Sequence, residues 1–471
     1  MWRSRSIAWL VCISLALPSA IASRERPSVP QSLPKTVAVA AFKSGLAFVV
    51  RQGTVELQSG AGSVTPIPNA ALGTLWLAPS ERNTMLDEVV AYRYAALRED
   101  PSTHEKAAEI RGALRFKIKG ANDKTDLTLG YLEHGIGWTP SYLISLNDDE
   151  TAQISMQAVV MNDAEDMDDA EVFFVVGVPN FAYSETPSPM SLQQNLLSFM
   201  KDAGRRDEET YKRYSNVIAG QMIAGEYREL DRMGAPTFSQ TVSELTGAAE
   251  EDLFLYSRSG VTLERGERAT YNVFSSAVNY ENVYEWEVAD PQRVDGQGNL
   301  IPNNPGPSDA AVRNIVWHSI RLKNTTKFPW TTAPAMVLSG IQPVSQDTLP
   351  YTPKEASSKL KITIATDIRS SHEEREVARQ QNVQRRHGYE YDLVTIEGTM
   401  KLKNYKSKPV SVEVGKTLRG EVEAQSGDGK SVKLGEAIQA DNPLSRLTWE
   451  IPLQPGGERV VTYRYRVFVR A

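Results

Sequence analysis

The sequence predicts a mainly β protein, with tandem immunoglobulin-like β-sandwich domains and an inserted helical segment. Three observations predict it. Several stretches alternate apolar and polar residues with a period of two. In three of them an Asn stands two residues past an apolar position: Val160 and Asn162, Leu322 and Asn324, Leu402 and Asn404. Between Thr186 and Gly247 the apolar spacing changes to that of a helix.

The chain opens with a pattern of export. Arg3 and Arg5 precede an apolar run from Ile7 to Leu17, broken by Pro18 and followed by the small residues of Ala20-Ile21-Ala22. That reads as a cleavable signal over residues 1–22, its apolar run of 11 residues being too short for a bilayer core that needs ~20. Cleavage after Ala22 removes Cys12, the single cysteine, so no disulfide, thiolate zinc site or iron–sulfur cluster is expected. Loss of Arg3 and Arg5 makes the net charge of −6 more negative still, with Lys and Arg scattered. Nucleic acid is excluded as a partner on that ground, because it demands a concentrated basic face. No later segment is apolar enough to span a membrane, and the expected location is periplasmic or extracellular.

Residues 23–35 carry Pro27, Pro30 and Pro34 and read as an extended leader. An N-terminal β domain is expected over 36–118, where Val37 and Val39 start one strand and Ser44-Gly45 turns into Leu46–Val50. A middle β domain over 119–290 contains the alternating Ile154, Met156, Ala158 and Val160. Within it, residues 187–247 form the helical insertion: Leu192, Leu196, Phe199 and Met200 fall at helical spacing, and Tyr211, Tyr214, Ile218 and Met222 do so again. Residues 291–310 are rich in turn formers and read as a linker. The C-terminal β-sandwich over 311–471 holds Val394, Ile396, Met400 and Leu402, and ends on Val461, Tyr463, Tyr465, Val467 and Val469. One apolar and one charged face per strand means packing on a core from one side.

The Asn positions form a weak internal repeat. Pro329 and Pro409 follow five residues after Asn324 and Asn404, and Met167 takes that place after Asn162. An Asn side chain caps a strand end by its own hydrogen bonds, and Pro is tolerated where a strand begins.

The stretch Gly137-Trp138, Pro140, Tyr142, then Asn162 with Glu165-Asp166, Gly177 and Pro179, resembles a family of exported bacterial domains of unknown function. So do Leu322-x-Asn324, Pro329, Pro334 and Tyr351, and the ending Trp449, Pro455-Gly456 and Tyr463-x-Tyr465. The family shares its C-terminal β region with the mucoidy-inhibitor proteins. The resemblance covers roughly residues 125–180 and 255–471. It implies an exported β-sandwich protein and brings no established activity.

Candidate chemistry is sparse. Asp163, Glu165, Asp166, Asp168, Asp169 and Glu171 are dense enough to suggest calcium, but their spacing is not that of an EF-hand and no Gly supplies its sharp turn, so an exposed charged turn is the better reading. His104, His134, His318, His372 and His387 show no zinc-site spacing; His318 shares the parity of Ile320 and Leu322 and is expected to point inward. No cofactor, metal site or catalytic set is expected. Trp138, Tyr142 and Trp330 are possible ligand or partner contacts as stacking platforms, though at strand spacing inter-sheet core is the better reading. Asn324-Thr325-Thr326 matches a glycosylation sequon. Three functional classes stay open: a non-enzymatic scaffold or interaction protein of the cell envelope, with a protein partner on the helical insertion; an envelope-glycan-binding module; and a hydrolase.

Overall fold

The computed structural model describes residues 29–99, 106–177, 179–192, 246–250, 253–288, 293–295, 298–301, 314–386, 388–435 and 441–471. Every named regular element among them but one is a strand. The strands open with β1 (Gln31–Ser32), β2 (Lys35–Ala41), β3 (Leu46–Glu56), β4 (Ala61–Thr65), β5 (Trp76–Pro79), β6 (Met85–Glu99) and β7 (Lys106–Lys119). They continue with β8 (Lys124–His134), β9 (Ile136–Leu146), β10 (Thr151–Asn162) and β11 (Met167–Val176). After a 3₁₀ turn at Pro189–Ser191 come β12 (Thr246–Glu250), β13 (Leu253–Leu263), β14 (Arg268–Val288), β15 (Arg293–Val294) and β16 (Leu300–Ile301). Then follow β17 (Trp317–Lys323), β18 (Ala333–Ser339), β19 (Gln342–Leu349), β20 (Ser357–Ile364), β21 (Ile368–Arg386) and β22 (Tyr389–Asn404). The last are β23 (Val410–Arg419), β24 (Glu421–Gln425), β25 (Lys430–Gly435), β26 (Leu444–Leu453) and β27 (Glu458–Arg470).

The protein is thus mainly β and built from several sheets, as its alternating sequence requires. No α-helix occurs among the described residues. The helical insertion expected over 187–247 is represented by the 3₁₀ turn and the start of β12; residues 193–245 lie outside the described residues, as do His104 and His387. The expected linker over 291–310 opens instead as a short hairpin, β15 against β16, with Val294 buried in the core beside it.

A ten-stranded sheet is the spine, running β19-β18-β9-β10-β14-β23-β26-β25, with β17 paired to β14 and β20 to β17. A seven-stranded sheet, β12-β13-β11-β2-β3-β8-β5, packs on one part of it. The interface buries Val39, Val49, Tyr131 and Phe174 against Trp138, Ile154, Met156 and Phe274. A four-stranded sheet, β21-β22-β27-β24, packs on another part, burying Ile396, Tyr463 and Tyr465 against Trp286, Val414 and Trp449. A second four-stranded sheet, β1-β4-β7-β6, closes a third core around Val64, Leu114, Phe116 and Leu127.

The long strand β14 joins the first two cores. Its first half pairs with β10, and its second half pairs with β17 and β23. Tyr280 and Trp286, both on its even-numbered face, enter the first and second core respectively. No boundary falls within this strand, so the sheet runs on where a chain of tandem domains would be interrupted.

The three Asn residues organise this fold far more than their sequence spacing implied. Asn162 and Asn404 end β10 and β22, Asn324 directly follows β17, and all three are fully buried. The Asn324 amide donates to the carbonyls of Phe328 at 2.9 Å, Thr352 at 3.0 Å and Pro353 at 3.2 Å. The Asn404 amide donates to Lys408 at 3.0 Å, Leu453 at 3.3 Å and Gln454 at 3.2 Å. Asn162 reaches Glu165 at 2.5 Å, Leu263 at 3.2 Å and Glu264 at 3.1 Å.

The backbone repeats as faithfully. Each Asn N–H donates to a turn carbonyl, of Glu267, Ala356 or Gly457, and each Asn carbonyl accepts from the residue before it, Gly266, Glu355 or Gly456. Those three donating residues have φ of 93°, 65° and 70°, the left-handed conformation in which Glu355 is the costly member. In every copy the strand ending in Asn pairs antiparallel with the strand after the turn: β10 with β14, β17 with β20, β22 with β27. The strand that follows the Asn pairs with the one that precedes or approaches the turn: β11 with β13, β18 with β19, β23 with β26. One side chain therefore ties together two strand pairs in each copy.

Candidate functional site

The three aromatic candidates sit in cores. Trp138 is fully buried, 5.4 Å from the Phe174 ring, with its indole N–H donating to Val175 O at 3.2 Å. Tyr142 donates to Thr331 O at 3.0 Å, and Trp330 donates to Thr326 Oγ1 at 3.2 Å. A stacking platform needs an open ring face, and none of these three has one; large rings that find one polar partner each are what a β core selects. Asn324 of the sequon is likewise closed to modification in the folded chain, since its amide carries three hydrogen bonds in the interior.

The acidic run from 163 to 171 is taken up by local pairing. Lys35 meets Asp168 at 2.9 Å, Arg268 meets Asp163 at 3.4 Å, and the Arg265 backbone N–H caps Asp166 at 2.9 Å. Glu165 turns inward to Arg51 and Tyr131. Nearby Glu133 is buried, and desolvation lifts its carboxyl to about 7 against the pull of Arg51 and Arg265. No group of three or more His, Cys, Asp or Glu converges as a metal site among the described residues.

His134 is half exposed beside Ser184 O at 3.2 Å and Glu185 at 3.6 Å. His318 does not enter the core as its parity suggested. A bulge between His318 and Ser319 shifts the register, so Ser319 and Ile320 are both buried while His318 stacks on Tyr284 and bonds Asn282 at 2.8 Å.

Two polar constellations remain. The first is a groove of about 590 Å³ on the outer face of the spine, opposite the cores. Odd-numbered residues of β14 supply Glu285 and Glu287, β20 supplies Lys359, β23 supplies Glu413 and Gly415, and β26 supplies Arg446. Lys359 bridges Glu285 at 2.7 Å and Glu413 at 2.5 Å, and Arg446 meets Glu287 at 2.5 Å. Burial opposes ionisation of Glu413, but bonds from Lys359 and Arg321 outweigh it and hold the carboxyl below its usual range. Gly415 forms the floor because a Cβ there would strike the Arg446 guanidinium and the Glu287 carboxylate. The lining holds five carboxylates (Glu285, Glu287, Glu413, Asp428, Glu450) against three cations (Lys359, Lys430, Arg446), so its field favours a basic ligand.

The second lies inside the second core. Lys416 of β23 and Glu374 of β21 are 0% and 1% exposed, with Nζ 3.4 Å from Oε1. The Tyr463 hydroxyl of β27 donates to the same Glu374 oxygen, and His372 Nε2 lies 2.7 Å from that hydroxyl. Tyr463 has one proton to give, so His372 is the donor to it and carries its hydrogen on Nε2. Burial and then the Lys416 charge push the imidazole down to about 3, so the ring is neutral. Gly398, between Glu374 and Tyr463 in the sheet, makes this possible: its missing side chain is the space the Tyr463 ring crosses. Sequence reading did not find this cluster. His372 and Glu374 sit in a strand dominated by polar and charged residues, and only the two-residue spacing that puts them on one face was visible.

The chain matches no protein-family model and no curated protein.

Proposed function

We propose that this chain is an exported, non-enzymatic scaffold or interaction protein of the bacterial cell envelope, built of β layers packed on one continuous spine sheet. Its outer spine face takes a protein partner that presents basic residues. The observation that carries the reading is the acidic excess in the groove, mounted on a sheet that the Asn corners and β14 hold stiff. The likeness to exported envelope proteins of unknown function supports the same compartment. Lys359 and Arg321 already neutralise the groove centre and Arg446 holds Glu287, so Asp428 and Glu450 are the carboxylates left to meet a partner's cations. The glycan-binding alternative loses the three rings that suggested it, since all are buried.

The test is a pull-down from envelope extract with the folded chain and with an Asp428→Asn, Glu450→Gln variant. A partner held by the first, released by salt and absent from the second supports the proposal. Equal capture by both, or turnover of a glycan or peptide substrate by the folded chain, refutes it.

A further inference from the structure

Cys12 is the chain's single cysteine, so no intrachain disulfide can staple its sheets. We infer that Lys416 and Glu374 condense into an amide cross-link between the spine sheet and the C-terminal four-stranded sheet.

The geometry meets the needs of that reaction. The two groups approach from facing sheets, at 3.4 Å, with both side chains sealed from solvent. Tyr463 packs between Trp449 and Tyr465, with ring centroids at 6.1 and 6.2 Å, and His372 stacks on it at 6.1 Å. Water that would reverse the reaction is kept out by this aromatic wall. The driving force is electrostatic: an ion pair in a low-dielectric interior carries a larger desolvation cost than a neutral amide does.

The step balances without any other reactant. The Lys416 ammonium passes one proton to the Glu374 carboxylate, which frees the Nζ lone pair. Nζ attacks the side-chain carbonyl carbon, the C–N bond forms, and the carboxyl oxygen becomes negative. Tyr463 donates its hydrogen bond to Oε1 and stabilises that oxyanion. A second Nζ proton moves to the other oxygen, its C–O bond breaks, and one water leaves. Tyr463 touches the reacting atoms and is catalytic in this sense; His372 is a positioning residue that fixes the Tyr463 proton toward Glu374. The product would anchor β21, an edge strand, to the middle of the spine.

The experiment is mass spectrometry on the full chain as purified. The expected result is an intact mass one water below the mass of the same termini, and a proteolytic digest containing a branched peptide that joins the segments around 374 and 416. Tyr463→Phe keeps the ring and the packing and is expected to lower the cross-linked fraction at least several-fold. Lys416→Met serves as the chain that cannot link and must show the full mass. A native chain of full mass with separate 374 and 416 peptides overturns the inference. So does an unchanged cross-linked fraction in Tyr463→Phe, for the catalytic role assigned to that hydroxyl.

Discussion

Replacing Asn324 by Ala tests the corner motif at its best-defined copy. The side chain contributes two N–H donors, shared among the carbonyls of Phe328, Thr352 and Pro353, and one acceptor for the Thr326 N–H at 3.1 Å. The three carbonyls each keep a second partner: Thr326 Oγ1 for Phe328, and the backbone N–H groups of Trp330 and Ala356 for Thr352 and Pro353. They are weakened by the substitution without being orphaned. The buried Thr326 N–H loses its acceptor outright. Allowing about 1 kcal/mol for each of the two donors and for that N–H gives a loss of about 3 kcal/mol. Asn324→Asp retains the acceptor but replaces the NH2 group with an acceptor oxygen facing carbonyls, so it is expected to cost more than Ala. The assay is urea unfolding, with hydrogen exchange of the peptides covering 317–323 and 352–364 as the local reporter. A loss below about 1 kcal/mol, or an Asp variant as stable as wild type, would refute the account of the amide as a clamp.

Other outcomes follow from the same physics. Glu355 occupies the left-handed position that is Gly266 and Gly456 in the other copies, so Glu355→Gly is expected to stabilise the chain by about 0.5–1 kcal/mol in thermal or urea unfolding. Glu133 holds its proton up to about 7 in the fold and releases it near 4.5 when unfolded. Stability should therefore fall as pH rises between those values, by at most about 3 kcal/mol, and Glu133→Gln should flatten that slope and be the more stable protein at pH 8. His372 works in the opposite sense. The unfolded ring gains a proton below 6.5 and the folded ring does so only near 3, so stability falls as pH drops through that window and His372→Gln should lessen the fall in acid unfolding. Gly398→Ala drives a methyl into the Tyr463 ring and should cost about 1–3 kcal/mol while displacing the hydroxyl from Glu374.

The β character of this chain was legible because one-sided strands alternate, and Ile154–Val160, Val394–Leu402 and Val461–Val469 all lie where the alternation put them. The Asn repeat was legible as spacing but not as architecture. Its second half, the turns at 263–267, 352–356 and 453–457, begins 101, 28 and 49 residues after the Asn, and its residues share a backbone shape more than a sequence. The continuity of the spine was hidden because Arg268–Val288 changes partners without changing its pattern. An aromatic on a strand looks the same in sequence whether its face is open or covered, which is why Trp138, Tyr142 and Trp330 were candidates until burial decided. The charged groove was hidden for a related reason: Glu285, Lys359, Glu413 and Arg446 come from four strands and meet only through sheet register.

The scaffold reading rests on the spine behaving as one body, and native-state hydrogen exchange along β14 tests that most directly. If the Asn corners and the shared strand hold the sandwiches together, amides of 268–279 and 280–288 open with one free energy and respond together to denaturant. Two separate exchange classes breaking near Asn279 and Tyr280 would contradict it, and would restore a chain of independent tandem domains.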